Sequence, residues 1–162
     1  GYTNTNGTAG ALRRDELDRA DNRDAVVQAS WDVAERWTVL AGARRTRVTF
    51  RVADRFVAPG NPDDSGSVSY GATNPVAGLA WRPSAQWNVY ANWGRGFETP
   101  TFTELAYRDG ASGLNTGLGA SRSRHLEAGV KWRDGAGRAR AELALFEIAT
   151  ANEIVMQSNQ GG

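Results

Sequence analysis

Six stretches of the chain alternate at a period of two between small or apolar residues and polar ones, the repeat that gives a β-strand one apolar and one polar face. In 25–34, Val27, Ala29, Trp31 and Val33 oppose Gln28, Ser30 and Asp32. In 37–50, Trp37, Val39, Ala41 and Ala43 oppose Thr38, Gly42, Arg44 and Thr46, with Leu40 on the polar side. The stretch 74–82 sets Ala77, Leu79 and Trp81 against Asn74, Gly78 and Arg82, and 87–96 sets Trp87, Val89, Ala91 and Trp93 against Asn88, Tyr90, Asn92 and Gly94. In 123–133, Leu126, Ala128, Val130 and Trp132 oppose His125, Glu127, Gly129 and Lys131; in 139–149, Ala141, Leu143 and Leu145 oppose Arg140, Glu142 and Ala144. Each stretch has roughly the 9–11 residues that a tilted transmembrane strand needs.

The connections alternate too. Short ones around 34–36, 83–86 and 134–137 separate long ones at 51–73 and 97–122. Outer-membrane barrels have short periplasmic turns and long extracellular loops, so this order predicts which end of each strand faces outward. Trp31, Trp37, Trp81, Trp87 and Trp132 all fall near the short turns on the apolar face and are expected to form a periplasmic-side aromatic girdle, because indole prefers the interface. Trp93 is a further ~20 Å along its strand from Trp87 at ~3.3 Å per residue, toward the opposite interface. The fold class expected is all-β: about six antiparallel strands of a transmembrane β-barrel. The smallest bacterial barrels have about eight strands, so six imply part of a larger one. A soluble β-sandwich binding module also alternates apolar-in and polar-out, and stands as the alternative.

Composition narrows the function classes. Charge is nearly balanced, Lys+Arg 19 against Asp+Glu 18, which gives no overall drive toward nucleic acid or anionic lipid. Lys131 is the single lysine, an arginine bias that fits a GC-rich coding genome better than a guanidinium-specific role. Cysteine is absent, so there is no disulfide framework and no thiol nucleophile. No run approaches the ~18 apolar residues of a membrane helix, and mean hydropathy is −0.52. Barrel strands escape hydropathy because alternate residues face a polar lumen. The start, Gly1-Tyr2-Thr3-Asn4-Thr5-Asn6, has neither methionine nor a signal-like segment and is expected to lie inside a longer polypeptide.

No catalytic constellation is present, and neither a catalytic nor a metal-ligating set is assigned. The one histidine, His125, has no neighbouring Cys or His and reads as a lumen or strand-end residue. Asn61-Pro62-Asp63-Asp64-Ser65-Gly66 begins like a calcium loop, but position twelve is Ala72, so an Asx-stabilised turn is expected. Gly94-Arg95-Gly96 is not a dinucleotide fingerprint, since Thr99 stands where a third glycine belongs. Thr101-Phe102-Thr103-Glu104 matches a capping box and marks a helical turn in the second long loop. No cofactor is implied.

The run Trp87-Asn88-Val89-Tyr90-Ala91-Asn92-Trp93-Gly94-Arg95-Gly96-Phe97-Glu98-Thr99-Pro100-Thr101-Phe102-Thr103-Glu104-Leu105 resembles the barrel of TonB-dependent outer-membrane receptors, whose strands of the type L-Y-A-x-x-G-x-G-F-x-x-P-x-x-x-E-L lead into an extracellular loop. Ser121 to Trp132 is similar to the family's S-x-x-x-E-x-G-x-K strand, and Ala144-Leu145-Phe146 with Asn152-Glu153-Ile154-Val155 to the one after it. The resemblance implies that residues 1–162 belong to the barrel domain of a receptor with about 22 strands, its plug domain and TonB-contacting segment lying elsewhere. It implies the outer membrane of a Gram-negative bacterium, contact with outer-membrane lipid and the TonB complex, and import of a large scarce nutrient, a ferric siderophore first. The run 97–110 with Gly113-Leu114-Asn115 looks closest to a branch linked to pyrroloquinoline quinone uptake, the alternative cargo. Arg95, Tyr107 and Arg108 are the expected ligand contacts, because guanidinium pairs with carboxylates and an aromatic ring stacks on a planar ligand.

Overall fold

A computed structural model describes residues 1–106 and 113–154. The elements are β1 (Tyr2–Thr5), β2 (Thr8–Leu12), β3 (Glu16–Ala34), β4 (Trp37–Asp54), β5 (Gly66–Ser84), β6 (Trp87–Glu98), α1 (Phe102–Ala106), β7 (Ser121–Arg133) and β8 (Arg140–Ala151). β1 and β2 form a hairpin, and β3 to β8 form one antiparallel sheet in strict sequence order. The six expected strands are all present, and the described residues place no second sheet of comparable size to make a sandwich.

The residues group into two compact units. One comprises 24–46, 72–98 and the chain from Ala120 onward. Its register keeps like with like: Trp87, Val89, Ala91 and Trp93 of β6 stand opposite Trp132, Val130, Ala128 and Leu126 of β7, and Val130 and Ala128 stand opposite Leu143 and Leu145 of β8. On β5, Leu79 and Trp81 pair with Ala91 and Val89. The other face carries Tyr90, Glu127, Lys131 and Glu142. On β3 and β4 the polar face is fixed by Thr38 Oγ1 donating to Asp32 at 2.6 Å and by Thr46 Oγ1 and Arg44 donating to Asp24 at 2.6 and 2.8 Å. This puts Trp31 and Trp37 on the opposite, apolar side.

The short turns are tight and cross-tied. Arg36 Nη1 donates to the Pro83 carbonyl at 2.8 Å, and Arg133 Nε to that of Ala85 at 3.3 Å. Beside the second turn the β5–β6 register shifts between Trp81 and Ser84, a bulge that accommodates Pro83, which has no N–H for the ladder. The third turn is held by Asp134 Oδ1, which accepts from the amides of Arg138 and Ala139 at 2.6 and 3.1 Å, while Gly137 takes φ +72°, a conformation that favours glycine.

The other unit comprises 1–23, 47–71 and 99–119. Here the even positions of β4 and β5 carry a small core: Phe50, Leu105 and Leu114 are buried, with Val48, Val52, Val68, Tyr70, Phe102 and Leu118 packed against them. Phe102 meets Phe50 edge-on at 4.9 Å, and Tyr70 donates its hydroxyl to the Leu118 carbonyl at 3.0 Å. The expected capping box forms: the Thr101 amide donates to Glu104 at 2.7 Å and the Glu104 amide returns to Thr101 Oγ1 at 3.3 Å. The strands run beyond the stretches that alternate in sequence: β3 begins at Glu16, β4 continues to Asp54 and β5 begins at Gly66, the last two inside the stretch read as loop. β1–β2 form around Asn6-Gly7, whose φ values of 52° and 84° suit a two-residue hairpin turn.

Leu105 is 0% exposed, so Leu105→Ala leaves a cavity under α1. The expected loss is about 2–5 kcal/mol for this unit. In the folded full-length protein it is read as faster cleavage within 99–119 by limited proteolysis, with the protection of the strands in 72–98 unchanged.

Candidate functional site

The polar face of the sheet unit is organised around one aromatic ring. Tyr90 stands opposite Gly129 and lies across it, so that a β-carbon at position 129 would come within 2.6 Å of the ring. The missing side chain makes room for the ring, and the ring covers the bare backbone. The Tyr90 hydroxyl donates to Glu127 at 2.7 Å and lies 3.4 Å from Glu142. Glu142 takes Lys131 Nζ at 2.8 Å, and the same ammonium sits 5.1 Å from the Tyr90 ring centroid. The sequence's only lysine thus completes a four-residue polar network on three adjacent strands. His125 is on this face as well, its Nε2 2.8 Å from Ser123 Oγ.

In the loop-bearing unit, a hollow of about 510 Å³ is rimmed by charge: Arg13, Arg14, Glu16, Asp18, Asp54 and Asp64. Arg14 and Glu16 are ion-paired. The segment 54–65 is a nest of Asx turns, in which Asp54 Oδ1 accepts from the Phe56 amide and Asp63 Oδ1 from the Ser65 amide, both at 2.9 Å. The Ser65 hydroxyl, and then its amide, hold the Asp63 carboxyl below the usual carboxylate range. These aspartates serve the turn itself, and among the described residues no three His, Cys, Asp or Glu groups converge on a metal position.

The residues singled out from sequence separate in space. Trp37 stacks on Trp81 with ring centroids 5.5 Å apart, and Trp87 lies 6.4 Å from Trp132. Trp31 is 71% exposed on the same face of its strand as Val27 and Val33. Arg95 shares the face of Trp93, its Cζ 5.9 Å from that ring's centroid, and stands directly opposite Arg124. Period-two counting from Trp87 already predicts that placement. Tyr107 and Arg108 lie outside the described residues. Tyr70 and Phe102, conspicuous as aromatic residues of the long loops, are used in packing each other's surroundings. The Tyr90–Gly129 pairing was not read from sequence, since it emerges only once β6 and β7 are set in register.

The apolar face is exposed along its length, with Trp31, Leu143 and Leu145 at 71, 65 and 73%. No helix among the described residues is long and apolar enough to cross a membrane, and a barrel crosses with strands instead. The family model for the TonB-dependent receptor-like β-barrel matches residues 1–162. The chain belongs to the TonB-dependent receptor β-barrel family. In fold it is similar to the alcaligin outer membrane receptor FauA of Bordetella pertussis, with a TM-score of 0.62 and 20% identity over 88% of this chain. The chain spans 23% of that receptor's length. Membership places these strands in the outer membrane, where a barrel strand needs one apolar face for lipid and can carry a polar one toward the lumen. The family is one of receptors and transporters, not of enzymes.

Gly129→Val is expected to push Tyr90 out of the network and lower stability by about 1–3 kcal/mol. The check is the urea midpoint of the folded receptor, with Ala128→Val on the apolar face as the control that shifts little.

Proposed function

We propose that these strands are part of a full-length TonB-dependent importer that captures a large, scarce nutrient at its outward loops and releases it inward through the lumen. The observation that carries this reading is the division of one continuous sheet into a lipid-compatible face and a charged, hydrogen-bonded face, in a chain whose whole length matches the receptor barrel. Residues 1–162 then form about a quarter of a barrel of about 22 strands. β3 and β8 take up neighbouring strands along their free edges, since open sheet edges are not tolerated in lipid. A plug domain elsewhere in the polypeptide closes the lumen and meets the TonB complex.

A ferric siderophore is the leading cargo. The similarity of the fold to a receptor for alcaligin is compatible with it. Pyrroloquinoline quinone is the second reading, favoured by the run 97–110 with Gly113-Leu114-Asn115. Arginines and aromatic rings on the outward loops suit a ligand that carries carboxylates or a planar ring system. Tyr107 and Arg108 are the proposed contacts. Arg95 is left out of this set, because its side chain shares the Trp93 face.

Arg108→Ala in the full-length receptor is expected to weaken ligand binding about 10- to 100-fold, the effect of losing a hydrogen bond between charged groups. Equilibrium binding of radiolabelled ferric siderophore and, in parallel, of pyrroloquinoline quinone would measure it. Affinity unchanged for both removes Arg108 from the site, and binding of the quinone alone by the unaltered receptor selects the second reading.

A further inference from the structure

At the short-turn end of the sheet unit the polar face turns basic. Arg82 follows Trp81 near the end of β5, and Arg133 of β7 stands directly opposite Arg140 of β8. With Asn88, Lys131 and Glu142 they line a hollow of about 720 Å³. Strand alternation puts all six side chains on the face of Tyr90, away from Trp81, Trp87 and Trp132.

The acids that could neutralise these cations are engaged. Glu142 takes Lys131 Nζ at 2.8 Å, Glu127 accepts from the Tyr90 hydroxyl at 2.7 Å, and Asp134 closes the third turn on the amides of Arg138 and Ala139. Among the described residues no carboxylate is ion-paired with Arg82, Arg133 or Arg140. Arg133 and Arg140 repel each other, as like charges directly opposite across strands do. Arg133 is held in place all the same, its Nε donating to the Ala85 carbonyl at 3.3 Å.

The spread of the arginines and one orphaned acceptor describe the occupant. Guanidinium presents paired N–H donors that match a carboxylate two by two. Arg82 and Arg140 stand on strands three places apart in the sheet, about 14 Å at ~4.8 Å per strand, so an anion with its charge spread over several carboxylates suits them better than a compact one. Asn88 lies between them on β6, and its Oδ1 is buried with no hydrogen-bond partner among the described residues. Buried acceptors are seldom left unpaired, so the occupant brings an O–H or N–H donor as well.

We infer that this hollow is a binding site for a hydroxy acid with several carboxylates, which Arg82, Arg133 and Arg140 pair while Asn88 accepts from the hydroxyl. In the importer reading, on which its placement rests, the hollow lies on the lumen wall at the periplasmic mouth. A carboxylate-bearing ligand is held there last before it leaves the barrel.

The test is dicarbonyl footprinting of the purified full-length receptor, in which phenylglyoxal modifies accessible guanidinium groups and mass spectrometry reads the rate at each arginine. Citrate is the probe, propane-1,2,3-tricarboxylate is the same skeleton without the hydroxyl, and sodium chloride at equal ionic strength accounts for screening. With a Kd on the order of 1 mM, citrate at about 10 mM is expected to slow modification of Arg82, Arg133 and Arg140 about tenfold. Arg138, whose side chain is 84% exposed at the third turn, should not change. Without the hydroxyl the protection should fall to about threefold, the loss of one hydrogen bond. Rates in citrate equal to those in chloride overturn the site. So does slow modification of all three arginines before citrate is added, since another part of the receptor then already covers them. Equal protection by the two tricarboxylates overturns the roles of Asn88 and the hydroxyl. Footprinting needs neither transport nor the natural cargo, so failure of this site and failure of the importer reading give different results.

Discussion

The backbone of β7 is paired on both sides for almost its whole length, Ser121–Trp132 against β6 and Arg122–Arg133 against β8. In hydrocarbon an amide has no water to turn to, so this double ladder is the condition on which everything else rests. A paired strand shows its side chains alternately to two sides, and the pairing therefore determines what each residue touches. Sliding β7 by one residue would send Glu127 and Lys131 into lipid and Leu126, Ala128 and Val130 into the lumen. The side chains in turn hold the register. On one face Val130 meets Val89 and Leu143, and on the other Lys131 meets Glu142 across the next strand.

The two faces solve different problems. The outward face needs only apolar bulk with aromatic and arginine residues at its margins, and it makes few specific contacts beyond Trp37 on Trp81 and Trp87 near Trp132. The inward face is polar and crowded, and its groups satisfy one another. Tyr90 fills the gap left by Gly129, reaches Glu127 with its hydroxyl and sits under Lys131. In the loop-bearing unit the same even positions become apolar, Phe50 and Tyr70 among them, and there they hold α1 and Leu114 in place of water. One alternation thus serves a lumen wall in one stretch and a loop foundation in another.

How far the sequence is legible follows from this physics. The inner halves of the strands were readable because lipid demands apolar residues on one side only, and because Trp31, Trp37, Trp81, Trp87 and Trp132 punctuate the turns. The outer halves were not. Residues 16–24 are charged on both faces, so the pattern goes silent although β3 starts at Glu16. Gly66 to Thr73 alternate in the opposite phase, with Val68, Tyr70 and Ala72 on even positions where 74–82 has its apolar residues on odd ones, so the stretch does not continue that pattern although it belongs to β5. The capping box at Thr101 and the Asx turn at Asp63 were legible as purely local hydrogen-bond motifs. The hairpin at Asn6-Gly7 rests on an equally local signal, two adjacent residues that tolerate positive φ. Pairings across strands, Tyr90 on Gly129 or Arg95 opposite Arg124, depend on register and became visible only with the structure.

The central claim is that each strand presents one face to lipid and the other to a water-filled lumen. A spin-label scan along β7 in an otherwise cysteine-free full-length receptor, reconstituted in bilayers, tests it most directly. Labels at positions 126, 128 and 130 should collide preferentially with dissolved oxygen, and labels at 125, 127, 129 and 131 with a water-soluble nickel chelate, alternating residue by residue. Equal access of the chelate to both sets of positions, or accessibility without a period of two, would contradict the account.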